Sequence, residues 1–264
     1  MLKKSVDQDF ENKKWEKLER VRDVLRKDMH GELSDLNFNF LSAELRCKYN
    51  IVDTENVSSN NYDPIAVSLI EKYPDGLILD CGAGKRSMYY SNVVNFEIVP
   101  YDTTDVLSVG EELPFQDNVF DAVFSLAVLE HVKDPFKCAS EIARVMKPGA
   151  TLYCVVPFLQ PVHGYPHHYY NMSMQGLKNL FADFLQIHEQ TVPASGLPIW
   201  ALTWMLNSWA SGLPSNVRDK FLNMKVSDLL GNPLDYLNDD FVKALSSEKN
   251  SELACTTALI GRKS

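Results

Sequence analysis

The chain lacks any long apolar run, any C-x-x-C pair and any excess of basic residues, and each absence narrows what it can be. Lysine and arginine total 26 against 35 aspartates and glutamates, for a net charge of −9 and a sequence pI near 5.2. A partner bound through a phosphate backbone normally meets a basic face, so nucleic acid is not expected. Five cysteines, Cys47, Cys81, Cys138, Cys154 and Cys255, are scattered and odd in number. That pattern favours reduced thiols in a cytoplasmic protein over a disulfide frame or a zinc site. The opening MLKKSVDQDFENKK has no apolar centre, so no secretory signal is expected. Asn56 and Asn171 each start an Asn-x-Ser triplet, which in a cytoplasmic chain is a chance match. There is no internal repeat and no low-complexity tract.

What is present is an ordinary soluble composition, 45% hydrophobic and 23% charged over 264 residues, long enough for one sizeable α/β core with accessory elements. Residues 9–29 carry Trp15, Leu18, Val21 and Leu25 at helical spacing, which predicts an amphipathic helix with a solvated charged face. A polar stretch at 53–63 leads into a helix expected over Pro64–Lys72. From there strands are predicted at Gly76–Asp80, Phe96–Tyr101, Ala122–Leu126 and Thr151–Val156. Helices are predicted at Arg86–Asn92, Lys137–Met146 and Gln175–Phe181. Two later strands are predicted at Phe184–Gln190 and Leu253–Gly261. Strands alternating with helices over short connections predict a parallel, doubly wound α/β sheet whose ligands lie beyond the carboxyl ends of its strands.

The sharpest local signal is Leu77–Ser87, LILDCGAGKRS: an apolar strand, Asp80, then Gly82 and Gly84. Glycines at such a turn let a ligand approach the backbone, and a helix starting after it would offer free N–H groups. Asp102 follows Asp80 by 22 residues, at the end of the expected second strand. A carboxylate there can accept from both hydroxyls of a ribose. Further on come Leu113-Pro114-Phe115, Phe120-Asp121, Val128-Leu129-Glu130-His131, Glu141–Val145 and Lys147-Pro148-Gly149, in order and at fitting spacings.

In this ordered series the chain resembles the class I S-adenosylmethionine-dependent methyltransferases, in the branch that includes ubiquinone- and menaquinone-biosynthesis enzymes. The resemblance covers about 70–181. It implies a seven-stranded, mostly parallel sheet with an N-terminal helical cap and a helical insertion before the last strand. It implies S-adenosyl-L-methionine as cofactor, held at Asp80, Gly82 and Gly84, at Asp102, at Val109, Gly110, Glu111, Glu112 and Leu113, and at Ser125, Leu126 and Ala127. The family often has glycine where this chain has Arg86, which reads as a surface charge on a helix. Some quinone-pathway relatives bind a divalent ion near Glu130 and His131 with a further glutamate. That glutamate is missing here, so His131 reads as structural and no metal is assigned.

After the expected fifth strand, residues 157–171 (PFLQPVHGYPHHYYN) gather His163, His167 and His168 with Tyr165, Tyr169 and Tyr170. Gly164 and Pro166 argue for a non-helical loop. Histidine can deprotonate a hydroxyl near neutral pH, so one of these three is the candidate general base for methyl transfer to oxygen, against a loop merely packed by its aromatics. No charged residue occurs between Glu189 and Arg218, and three of the four tryptophans, Trp200, Trp204 and Trp209, fall in that gap. Pro198, Gly212 and Pro214 interrupt it too often for a membrane span. A buried or dimer-forming helix is the favoured reading, ahead of a lid over an apolar substrate or a peripheral membrane contact.

The expected organisation is a cap at 1–62, a cofactor-binding core at 63–192, an insertion at 193–250 and a final strand at 251–264. The expected function is methyl transfer to an oxygen or nitrogen of a small metabolite or saccharide. Two rivals stand: a cofactor-binding partner subunit without catalysis, and a nicotinamide oxidoreductase. The oxidoreductase motif G-x-G-x-x-G wants glycine at Ser87.

Overall fold

The computed structural model describes residues 2–34, 36–54, 57–164, 167–259 and 262, and for residues 2–7 the backbone alone. The chain divides into two compact units: residues 1–157 with 164–189, and residues 158–163 with 190–264.

The first unit is built on a seven-stranded sheet. Its strands are β1 (Glu32–Ser34), β2 (Asn37–Asn39), β3 (Ile78–Cys81), β4 (Val93–Glu97), β5 (Val106–Leu107), β6 (Phe120–Leu126) and β7 (Met146–Val155), in the order β1-β2-β5-β4-β3-β6-β7. β1 and β2 pair antiparallel at one edge, and every other pairing is parallel. The helices are α1 (Leu2–Val24), α2 (Ala43–Tyr49), α3 (Pro64–Lys72), α4 (Pro135–Val145) and α5 (Met174–Phe181). Alternate residues of β3 face opposite layers. Leu79 and Cys81 join the cluster that holds Leu18 and Val21 of α1, Ile142 and Val145 of α4, and Phe181 of α5. Ile78 joins Ala66 and Ile70 of α3 on the other face. Near-continuous apolar strands buried on both faces are the mark of a parallel sheet covered by helices, and each fully buried Leu, Ile or Phe contributes about 1.5–3 kcal/mol.

Several boundaries differ from the sequence reading. The second core strand is Val93–Glu97, not Phe96–Tyr101, because the chain turns after Glu97 and Pro100 cannot continue the ladder. The helix expected at Arg86–Asn92 does not form. Its side chains are drawn into the protein instead: Arg86 to Asp80, and Asn92 to the carbonyls of Ile70 and Tyr73. Neither Phe184–Gln190 nor the described part of Leu253–Gly261 is a strand; Ile260 and Gly261 lie outside the described residues. The sheet reaches seven strands through the β1–β2 hairpin and the two-residue β5, which the sequence reading did not anticipate.

Helix α1 buries Leu18 and Val21 as expected, but Trp15 points out and two lysines point in. Trp15 is 42% exposed, whereas Lys14 and Lys17 are each 1% exposed. Lys17 Nζ lies 2.7 Å from Asp105 Oδ2 and donates to Val93 O at 2.6 Å, with the Tyr89 ring 3.5 Å away. Lys14 donates to the carbonyls of Asp102 and Thr104. The helix is therefore fastened to the β4–β5 edge by two buried cations.

The second unit holds α6 (Pro198–Ser211), α7 (Ser215–Leu222) and three short helices, α8 (Pro233–Tyr236), α9 (Asp240–Lys243) and α10 (Ser247–Glu252). Its core gathers Ala210, Leu213, Val217, Phe221, Leu245 and Leu253. Among the described residues no helix is long and apolar enough to cross a membrane. Only Ser208 and Ala210 of α6 are buried, and Ile199, Trp200 and Leu202 are exposed.

Candidate functional site

The sheet order reverses at β3: β4 and β5 lie to one side of it, β6 and β7 to the other. The carboxyl ends of β3 and β6 therefore open the crevice in which a doubly wound sheet receives its ligand. The glycine turn sits there. Gly82 and Gly84 have φ of +90° and +64°, in the region that favours glycine. A Cβ on Gly82 would come within 2.4 Å of the Val128 side chain, and one on Gly84 within 2.8 Å of the Ser58 carbonyl.

Asp80 is fully buried at the end of β3. Its Oδ2 accepts from Tyr62 Oη at 2.5 Å, from Arg86 Nε at 2.9 Å and from Arg86 Nη2 at 2.7 Å. Its Oδ1 is buried with no hydrogen-bond partner among the described residues. Burial pushes this carboxyl up, against the pull of Arg86 and Tyr62. Three donor contacts to one oxygen, two of them from a guanidinium that keeps its proton, hold it as the anion of an ion pair. Arg86 is thus not the surface charge of the sequence reading. It is 5% exposed, its guanidinium lies 4.1 Å from the centre of the Tyr62 ring, and Nη1 donates to Asn60 O at 2.7 Å.

The acid that ends the second core strand is Glu97, not Asp102. Glu97 Oε2 accepts from Gly84 N and Oε1 from Ile98 N, both at 2.9 Å, and burial pushes its carboxyl up. Asp102 lies in the turn five residues on, with an exposed side chain 3.6 Å from Lys85 Nζ. Counting from Asp80 to the next acid after an apolar run would have found Glu97. The strand was placed too late because Ile98-Val99 extends its apolar run.

Beyond Glu97 a cavity of about 390 Å³ is lined by Ile98, Val99 and Pro100, by Leu107 of β5, and by Asn39, Arg46 and Val52 from the N-terminal segment. Ser108 N donates to Glu97 O at 3.2 Å, which sets the neighbouring Val109 close to this acid. Glu111 and Glu112 instead line a second cavity of similar volume, with Arg26, Lys48 and Lys137. The charges of that cavity are largely matched to one another: Lys48 and Tyr49 bond Glu112, Arg26 bonds Asp28, and Glu141 bonds Arg144 and Leu113 N. The first cavity, partly apolar and continuous in sequence with the acid of β4, is the better receptacle for a nucleoside. Of the five residues expected around an adenine, Val109 and Leu113 are buried, Gly110 packs against the Cys138 thiol, and Glu111 and Glu112 face away.

At the end of β6, Ser125 is buried and paired across the ladder with Cys154, whose thiol is pushed by burial to about 12. Leu126 is half-buried, and the exposed Ala127 turns the chain with φ of +56°. Glu130 follows, fully buried, its carboxyl pushed up by burial to about 7. Its Oε1 lies 3.7 Å from His131 Nε2.

His167 Nε2 meets Asn50 O at 3.0 Å and Asn50 Nδ2 at 2.8 Å. His168 Nε2 meets Asn171 Oδ1 at 2.9 Å, and its ring stands edge-on to His131 at 5.6 Å. His131 Nδ1 meets His167 O at 2.6 Å. His163 belongs to the other unit, where Nδ1 meets Pro161 O at 2.9 Å and the ring lies 5.0 Å from Trp204. Tyr165 and Pro166 of this loop lie outside the described residues.

Residues 79–154 match the family model described as a methyltransferase domain. The match runs from β3 into β7, and so spans the glycine turn, Glu97 and the end of β6. Over these residues the chain is similar to methyltransferase domains. Curated relatives of that domain include cycloartenol-C-24-methyltransferase 1 of Oryza sativa subsp. japonica, 39% identical over 54 residues, which are 19% of this chain and 16% of the relative. Demethylmenaquinone methyltransferase of Renibacterium salmoninarum is 32% identical over 117 residues, 38% of this chain and 48% of the relative. The chain spans less than half the length of each of these methyltransferases. Among solved structures, phosphoethanolamine N-methyltransferase 2 of Haemonchus contortus, in complex with S-adenosyl-L-methionine, superposes with a TM-score of 0.36 at 17% identity, over 67% of this chain and 49% of that one. Outside the methyltransferase domain lie α1 to α3, which supply Lys17 and lead in Tyr62, and the whole of the second unit.

Proposed function

We propose that the protein transfers a methyl group from S-adenosylmethionine to an oxygen or nitrogen of a small metabolite or saccharide. The observation that carries this reading is the pairing of the glycine turn with two acids, the buried Asp80 and the half-buried Glu97, at the ends of adjacent strands inside a methyltransferase domain. The residues present fit the cofactor. Gly82 and Gly84 give the turn its positive-φ backbone beside Asp80, Asp80 Oδ1 is a buried acceptor with capacity to spare, and Glu97 offers two oxygens to two neighbouring hydroxyls. Asp80 and Arg86 would hold the amino-acid end, Glu97 the ribose, and Ile98, Val99 and Val109 the adenine.

When bound, the cofactor supplies an electrophilic methyl group on a sulfonium. The protein's part is alignment of the acceptor and exclusion of water, which convert a bimolecular displacement into an effectively unimolecular one. A base is needed only where the acceptor begins protonated. Among the three histidines, His168 sits beside His131 in the sheet-bearing unit, next to the chain that follows β6, and is the one best placed to take a proton from a hydroxyl. The acidic surface charge supports a small-molecule acceptor over nucleic acid.

Incubation of the protein with S-adenosylmethionine and a fractionated metabolite pool tests the reading. A product heavier than its precursor by one methyl, formed together with S-adenosylhomocysteine, is expected. Failure to form S-adenosylhomocysteine with any acceptor would favour a cofactor-binding subunit without catalysis.

A further inference from the structure

We propose that residues 57–61 form a strap across the glycine turn that lifts, hinged at Tyr62, for the methyl donor to bind. The proposal rests on the reading that the glycine turn is the S-adenosylmethionine site, and it adds how access to that site is controlled.

Every backbone N–H from Gly82 to Arg86 is already engaged. Gly82 N and Ala83 N both donate to Phe96 O at 3.0 Å, Gly84 N to Glu97 Oε2 at 2.9 Å, and Arg86 N to Thr103 Oγ1 at 3.2 Å. Lys85 N donates to the carbonyl of Ser58 at 2.8 Å. That carbonyl lies 2.8 Å from where a Cβ of Gly84 would stand, so it fills the space the glycine keeps open. Asn60 O accepts from Arg86 Nη1 at 2.7 Å, and Asn61 Oδ1 accepts from Ser87 Oγ at 2.6 Å. Tyr101 Oη receives Ser58 N at 3.3 Å. The strap thus supplies acceptors to the groups that would otherwise meet the carboxylate and hydroxyls of a ligand.

The same contacts show why the strap can leave. Residues 57–61 are exposed and polar apart from Val57, which is itself 59% exposed, so they bury almost no apolar surface. Their hold is a handful of hydrogen bonds, each of which a ligand or water can replace, and such segments open at low free-energy cost. The downstream end is anchored: Tyr62 is tied to Asp80 and packs on Arg86, and Asp63 caps α3 through Ala66 N. A cofactor that binds only the open form has its apparent affinity reduced by the open fraction, so strengthening or weakening the strap tunes binding without touching the acids.

The contact between Asn61 and Ser87, both exposed, permits a reversible lock. In a Cys47→Ser, Cys255→Ser background, which removes the two exposed thiols, Asn61→Cys with Ser87→Cys is oxidised to a disulfide in the absence of ligand. S-adenosylmethionine binding is then measured by calorimetry before and after reduction. The expected result is that the locked protein binds at least tenfold more weakly, that reduction restores binding, and that Ser87→Ala alone binds more tightly than wild type. Equal affinity in locked and reduced protein overturns the strap, as does failure of the ligand-free protein to cross-link. Absence of binding in wild type and reduced protein alike would instead overturn the cofactor reading on which the strap depends.

Discussion

Three residues carry more than their sequence context suggested. Arg86 departs from the glycine common in the resembled family, and the structure turns that departure into a buried counter-ion for Asp80. A guanidinium on a surface helix and one folded back onto an acid six residues earlier are identical in sequence. Only the loss of the expected helix decides between them. Glu97 was hidden by a strand boundary placed a few residues late. Glu130 was visible as part of Val128–His131, but its environment was not. Its carboxyl ordinarily titrates at 4.5 and is pushed by burial to about 7. Between those values the folded chain holds a proton that the unfolded chain has lost, so the stability contribution present below pH 4.5 is lost as pH rises through 7. Glu130→Gln stays neutral throughout. Its stability relative to wild type should rise from about pH 4.5 and level off above pH 7, gaining roughly 3 kcal/mol across that range. Urea unfolding of both proteins over a pH series measures this. Parallel curves would show that Glu130 is not desolvated in the native state.

At the scale of elements, the sequence located most of what periodicity and capping residues govern. Helix α3 begins at Pro64 behind Asp63, whose carboxylate caps Ala66 N, and α5 begins behind Ser173 in the same way; both were expected within a residue. Strands β3 and β6 were legible as apolar runs. Elements fixed by distant partners were not. The segment 86–92 has helix-compatible residues, but its side chains find acceptors in other parts of the fold. The β1–β2 hairpin is held by pairing to a two-residue strand that no local pattern marks. In helix α1 the periodicity gave Leu18 and Val21 their inward places but not Lys14 and Lys17, which bury against carbonyls and an aspartate that only the tertiary structure supplies. Lys17 is held down to about 8, burial outweighing the opposing pull of Asp105. Lys17→Met would leave Asp105 buried without its cation. A loss of about 3–5 kcal/mol is expected by chemical denaturation, the cost of breaking a buried pair. A loss under about 1 kcal/mol, the range of exposed pairs, would show that the helix is not fastened there.

For the molecule as a whole, the ordered motifs from Leu77 to Gly149 were enough to read a doubly wound sheet and its family. They work because a parallel sheet places every ligand group at strand ends, which sequence spacing tracks closely. The accessory unit was legible only as an uncharged, tryptophan-rich stretch, since nothing in that pattern says which face is covered. Asp80, Glu97 and the glycine turn are proposed to form one S-adenosylmethionine site. Titration calorimetry of S-adenosylmethionine into wild type, Glu97→Gln and Asp102→Asn proteins tests it most directly. Wild type should bind one equivalent, displaced by S-adenosylhomocysteine and not by a nicotinamide dinucleotide. Glu97→Gln should bind at least about tenfold more weakly, the loss of a charge-assisted hydrogen bond to each hydroxyl, and Asp102→Asn should bind like wild type. The opposite ranking of the two variants, or a wild type that takes up no S-adenosylmethionine, would contradict it.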